Sequence, residues 1–157
     1  MDTTATQSLV LLYPAPDPGI SRDFMAAQLA LHTDAWDVAE DLGNGIPDIV
    51  VVDARSRAAY ARGHVPGAVN LPHREMSPET TREFDRRKTY VVYCDGIGCN
   101  ASTKGAYHLA RLGFRVKEML GGLDFWIRDG HPVARGEATG ASPDVPAAAA
   151  AVACGCS

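Results

Sequence analysis

The chain lacks most of the features that would commit it to a membrane, a nucleic acid or a metal. No apolar run approaches the roughly 18 residues of a spanning helix. The apolar segment from Leu9 to Tyr13 is short and follows no basic stretch, so a secretory signal is not expected either. There is no basic surplus: 15 Lys and Arg face 19 Asp and Glu, for a net charge of −4 with histidine neutral. Neither nucleic acid nor an anionic membrane is therefore an expected partner, and the cluster Arg86-Arg87-Lys88 reads as a solvated turn. Cysteine is scarce, with four residues spaced C-x4-C and C-x-C far apart. That pattern matches no zinc finger or ribbon, so no metal is expected. Free thiols in a reducing compartment are the simpler reading, with the cytoplasm as the expected location.

What is present fits one ordinary globular domain: 157 residues, 46% hydrophobic and 22% charged, with no internal repeat. Residues 1–20 carry Pro14, Pro16, Pro18 and Gly19 and read as an extended arm. Ser21 is placed to cap a helix to about Leu31, and Thr33 a second one with Trp36, Val38 and Leu42 at helical spacing, stopped by Gly43-Asn44-Gly45. Ile49–Val52 and Tyr90–Tyr93 are apolar on both faces, the mark of strands in a parallel sheet. Between and after them the pattern predicts a helix over 56–62, a short strand over 68–71, a polar helix over 78–86, a helix over 101–112, a strand over 114–120 and a last helix over 123–129. Alternating strands and helices indicate an α/β domain with a mainly parallel sheet. From Ala134 to Ser157 the composition turns to Ala, Gly and Pro, and the segment reads as a tail ending Cys154-Gly155-Cys156-Ser157.

The chemistry concentrates where the second apolar strand ends. Cys94 opens the loop Asp95-Gly96-Ile97-Gly98-Cys99-Asn100, and the helix starting at Ala101-Ser102-Thr103-Lys104 follows. Loop N–H groups and the positive end of a helix both favour thiolate over thiol, so Cys94 is expected to be a nucleophile with residues 95–104 as its anion cradle.

Three segments resemble the rhodanese (sulfurtransferase) superfamily, across about residues 21–133. They are Asp53-Ala54-Arg55 with Gly63-His64-Val65-Pro66-Gly67-Ala68-Val69-Asn70-Leu71-Pro72, the strand–Cys94–loop–helix unit, and Gly121-Gly122-Leu123-Asp124-Phe125-Trp126 with Gly130-His131-Pro132-Val133. The loop is similar to that of single-domain bacterial members with a C-x-G-x-G-C-N pattern. The resemblance implies a roughly five-stranded sheet flanked by helices on both faces, and no organic cofactor. It also implies transfer of a sulfane sulfur from a small donor, thiosulfate or a persulfide, to a thiol or cyanide through a persulfide on Cys94. A protein acceptor is compatible with this, as is a monomer or a homodimer.

The remaining residues receive supporting roles. Asp53 and Arg55 are expected to pair with each other or with the Gly63–Gly67 turn, His64 to be a structural hydrogen-bonder, and Trp36, Phe125 and Trp126 to be core residues, with Trp126 sheltering the loop. Against the commoner family pattern the loop carries about three extra residues, Cys99 among them. Cys99 is open to being a resolving thiol, the nucleophile itself or a space-filler, and Cys154/Cys156 to being a relay that takes up the sulfur or tail residues without a role. A phosphatase of related architecture would need C-x5-R for a bidentate grip on phosphoryl oxygens, whereas Asn100 and Gly105 stand at that spacing from the two cysteines. A non-catalytic binding or redox-sensing module is the rival that stands. With no arginine in the loop, affinity for thiosulfate is expected to be weak; a low-micromolar Michaelis constant in a cyanide-coupled assay would refute this.

Overall fold

Parallel strands need cover on both faces, and this chain supplies it from two alternating sets of side chains. In the computed structural model of the protein, which describes residues 8–140, the strands are β1 (His32–Thr33), β2 (Ile49–Asp53), β3 (Val69–Asn70), β4 (Thr89–Tyr93) and β5 (Arg115–Met119). They form one sheet in the order β1-β5-β4-β2-β3, every pair parallel. The two apolar runs lie side by side at its centre, Ile49 opposite Thr89 through Asp53 opposite Tyr93.

The helices are α1 (Pro18–Leu31), α2 (Ala35–Gly43), α3 (Arg57–Arg62), α4 (Ala101–Arg111) and α5 (Gly122–Arg128). Val51, Val91 and Tyr93 pack with Val38 of α2, Tyr60 of α3 and Trp126 of α5. Their strand neighbours Val52, Tyr90 and Val92 point the other way, toward Leu109 of α4 and Phe114. The expected α/β architecture is thus present, with both faces covered. Among the described residues no helix is long and apolar enough to cross a membrane, and no group of acidic, His or Cys side chains is placed to hold a metal ion.

The backbone separates into a unit ending at Ala30 and a second one beginning at Leu31. In the first, α1 starts at Pro18 rather than after Ser21. Asp17 receives the Gly19 N–H at 2.9 Å on its carboxylate, and proline suits a first helical position because its missing N–H is not needed there.

Other expectations are also corrected. Asp34, not Thr33, caps α2 by accepting the Asp37 N–H at 2.9 Å. Residues 78–86 form turns instead of a helix. The Thr80 hydroxyl donates to the carbonyl of Glu75 at 2.7 Å and that of Thr81 to Ser77 at 2.8 Å, and such side-chain bonds compete with helical ones. Trp36 and Phe125 are each 38% exposed, whereas Trp126 is 1% exposed. Adjacent helical residues point about 100° apart, so of the pair in α5 only Trp126 reaches the core.

Candidate active site

Cys94 is the first residue after β4 and its side chain is 2% exposed. The loop's backbone is held from the side by α5: Leu123 N–H donates to the carbonyl of Cys94 at 2.9 Å and Asp124 N–H to that of Asp95 at 2.8 Å. This close approach explains Gly121-Gly122. Both have positive φ, 79° and 56°, and a methyl group on Gly122 would collide with the carbonyl oxygen of Cys94.

Behind the loop stands a buried charge network. The Asp53 carboxylate accepts from Arg55 Nη2 at 2.6 Å, from the Arg55 N–H at 2.9 Å and from the Tyr93 hydroxyl at 2.7 Å. Arg55 goes further, donating to the carbonyl of Gly63 at 2.6 Å and to Asp95 Oδ1 at 2.9 Å. Both alternatives read from the sequence are therefore realised, and Arg55 also ties the D-x-R segment to the active loop. Burial works against its charge, but the bonds to Asp53 and Asp95 outweigh that and raise its pKa. His64 is fully buried, stacked on Tyr60 at 3.6 Å, with Nδ1 2.9 Å from the carbonyl of Tyr60. Trp126 donates to the carbonyl of Pro132 at 2.7 Å. These two side chains hold the scaffold together.

The surroundings of the sulfur differ from an all-amide cradle. Cys94 Sγ lies 3.1 Å from the carbonyl oxygen of Cys99 and 3.8 Å from that of Gly96, both acceptors. The Cys99 N–H is spent on the carbonyl of Gly96 at 3.0 Å. Burial pushes the Cys94 thiol up and Cys99 adds to the rise; the backbone N–H of Ser102, and its hydroxyl whenever that hydrogen is turned to the sulfur, act against this, for a net upward shift. Burial thus works against the thiolate that the sequence reading favours, and the carbonyls of Gly96 and Cys99 are placed to accept from the thiol.

Glu118 of β5 strengthens this effect. Its carboxylate oxygen Oε1 accepts from the Ser102 hydroxyl at 2.6 Å and from Thr103 Oγ1 at 2.8 Å. Ser102 Oγ is in turn 3.1 Å from Cys94 Sγ. A hydroxyl has one hydrogen; when Glu118 takes it, Ser102 turns lone pairs toward the sulfur and accepts from the thiol. Glu118 thus holds the side-chain hydroxyls of both Ser102 and Thr103, while Lys104 is exposed. In Glu118→Gln the amide can donate to Ser102, and the chain of bonds reverses. The thiol pKa of Cys94 is expected to fall, raising its iodoacetamide reactivity at neutral pH about tenfold. The rising limb of the rate–pH profile moves to lower pH accordingly. The same change in a Ser102→Ala background should have no effect; an unmoved profile in Glu118→Gln alone contradicts the arrangement.

Two cavities flank the loop. One of about 630 Å³ is lined by Asp95, Gly96, Ile97, Gly98, Cys99 and, from α5, Asp124, Phe125 and Arg128. The other, of about 380 Å³, meets the loop at Asp95, Cys99 and Ala101. Cys99 is half-buried and borders both, while Asn100 at the head of α4 makes no side-chain cap bond. Cys154 and Cys156 lie outside the described residues. Glu118 and Arg128 had no signal in the sequence; only the sheet register and the α5 docking bring them to the loop.

Comparison with known proteins agrees with the fold. A family model described as Rhodanese-like domain matches residues 36–129. The chain is 33% identical over 94 residues to an HTH-type transcriptional regulator of Mycobacterium tuberculosis, covering 59% of this chain but only 41% of that protein. It is 31% identical over 86 residues to a sulfurtransferase of Allochromatium vinosum, covering 55% of this chain and 78% of the other. The crystal structure of a Bacillus halodurans protein superposes with a TM-score of 0.75 at 34% identity, covering 77% of this chain and 88% of that one. A match over residues 36–129, which contain the D-x-R segment, the Cys94 loop and Gly121-Gly122, leaves one conclusion: the chain belongs to the rhodanese-like domain family.

Proposed function

We propose that the protein is a sulfurtransferase that carries a sulfane sulfur as a persulfide on Cys94. The observation carrying this reading is the position of Cys94: first residue after the central strand, under a glycine loop, beside the hydroxyl and N–H of Ser102 at the head of α4. The kinship with a named sulfurtransferase supports it. In the first half-reaction the Cys94 thiolate attacks the outer sulfur of thiosulfate; the new S–S bond forms as the old one breaks, and sulfite leaves with the electron pair. In the second, an acceptor thiolate or cyanide takes the outer sulfur and Cys94 leaves as thiolate. Because the resting thiol is covered by the carbonyls of Gly96 and Cys99, the loop shifts to admit the donor, and its N–H groups then turn toward the anionic persulfide.

Cys99 is the resolving or sulfur-passing thiol in this scheme, Cys154 and Cys156 are a candidate relay to a protein acceptor, and the expected setting is cytoplasmic. The second reading is a redox-sensing or binding module built on Cys94 and Cys99, favoured by the burial of the resting thiol. Thiocyanate formation from thiosulfate and cyanide separates the two. The proposal expects it from the wild-type protein; its absence with both thiosulfate and a persulfide donor would leave the module.

A further inference from the structure

Taken alone, α1 has little to keep it helical. It has 14 residues and none of them is buried. Isolated helices shorter than about 12–15 residues are marginal in water, and in proteins a packed apolar face supplies most of their stability. Asp17 caps the start, but the two charges, Arg22 and Asp23, are adjacent and pair with each other at 2.8 Å rather than across a turn. What the helix does carry is a seam. Ile20, Phe24, Ala27 and Leu31 follow at steps of four, three and four, the spacing that lines the side of a helix on which a second helix packs. Yet Ile20 is 64% exposed, Phe24 58% and Leu31 56%, and Ala27 is exposed with them. The stretch before the helix adds to this surface, since each residue from Leu9 to Tyr13 is more than half exposed. Together these side chains leave on the order of 1,000 Å² open, more than the few hundred Å² of an ordinary monomer's apolar patch and close to the roughly 800 Å² that each partner brings to a standard interface.

We propose that residues 9–31 are the pairing surface of a homodimer, with the Ile20–Leu31 seam of one copy packed on the same seam of the other. Three features favour a second copy of this chain as the occupant. A seam of alternating three- and four-residue steps is met best by a helix of the same kind, and a two-fold axis supplies one. Arg22 and Asp23 cancel within the helix, so two copies do not repel each other and no charged partner is selected. A helix that lies on a membrane surface is instead rich in Lys and Arg on its polar face, and α1 has Arg22 alone. Pairing would complete the stability that the single helix lacks. This surface is independent of the chemistry at Cys94.

Sedimentation equilibrium of the full chain at high micromolar concentration should give twice its mass of 16.7 kDa. Phe24→Glu should raise the dissociation constant about 100-fold or more, because both copies lose the same anchor. Arg22→Gln, on the opposite side of the helix, should leave it within about threefold. Amide hydrogen exchange gives a readout that a general folding defect would not mimic. Residues 20–31 should be protected in the dimer and exchange freely in Phe24→Glu, while β4 stays protected in both. A wild-type chain that is monomeric at every concentration overturns the proposal, and one that is monomeric but binds phosphatidylcholine vesicles assigns the surface to lipid instead. A dimer indifferent to Phe24→Glu, or weakened as much by Arg22→Gln, places the interface elsewhere and overturns it too. The wild-type mass and the protection of residues 20–31 decide even if Phe24→Glu does not fold.

Discussion

Cys94→Ser should lower kcat/KM for sulfur transfer by at least about 10³-fold, since the step that loses its nucleophile has no substitute at that position. Cys99 is the residue most able to disguise such a loss. It borders both cavities, and in its own right it is a thiol. Residual activity in Cys94→Ser that vanishes in Cys94→Ser/Cys99→Ser would make Cys99 the carrier, whereas a Cys99→Ser variant close to wild type keeps it in an auxiliary role. The side chain at position 94 is buried beside Ser102, and serine is close enough in size to leave the fold intact. Unfolding curves of the two proteins should differ by no more than about 1 kcal/mol.

Asp53→Ala should be the most damaging change outside the loop. Asp53 is fully buried and receives three groups at once: the Arg55 side chain, the Arg55 backbone N–H and the Tyr93 hydroxyl. Removing it leaves the 7%-exposed Arg55 side chain with Asp95, itself 69% exposed, as its remaining charged partner. Breaking a buried ion pair from one side typically costs about 3–5 kcal/mol, and urea unfolding should show a loss of that size. Tyr93 is pushed up by burial and then by Asp53, so its hydroxyl is a committed donor that also loses its acceptor. Because Arg55 grips Asp95, the loop should loosen as well, with faster alkylation of Cys94. A loss under 1 kcal/mol would mean that the network is not the support that its geometry indicates.

How far the site could be read in advance follows from how local each feature is. Cys94, the loop glycines and the head of α4 are consecutive in the chain, so the strand–loop–helix pattern was visible as such. Asp53 and Arg55 are two residues apart, and Gly121-Gly122 marks its own turn. Glu118 reaches Ser102 from 16 residues away, through the register that sets β5 beside β4, and no spacing rule connects them. The orientation of the loop peptides was also out of reach: a glycine-rich loop has freedom to turn either N–H or C=O inward, and here Gly96 and Cys99 turn their carbonyls toward the sulfur. Over residues 78–86 composition suggested a helix, and the hydroxyls of Thr80 and Thr81 settled the backbone otherwise.

The central claim is tested most directly by the mass of the intact protein after incubation with thiosulfate and removal of excess reagent. The account predicts a gain of one sulfur atom, located at Cys94 by peptide mapping, absent in Cys94→Ser and removed by cyanide. A wild-type protein that reacts with iodoacetamide at Cys94 yet gains no sulfur from thiosulfate or from a persulfide donor would contradict it.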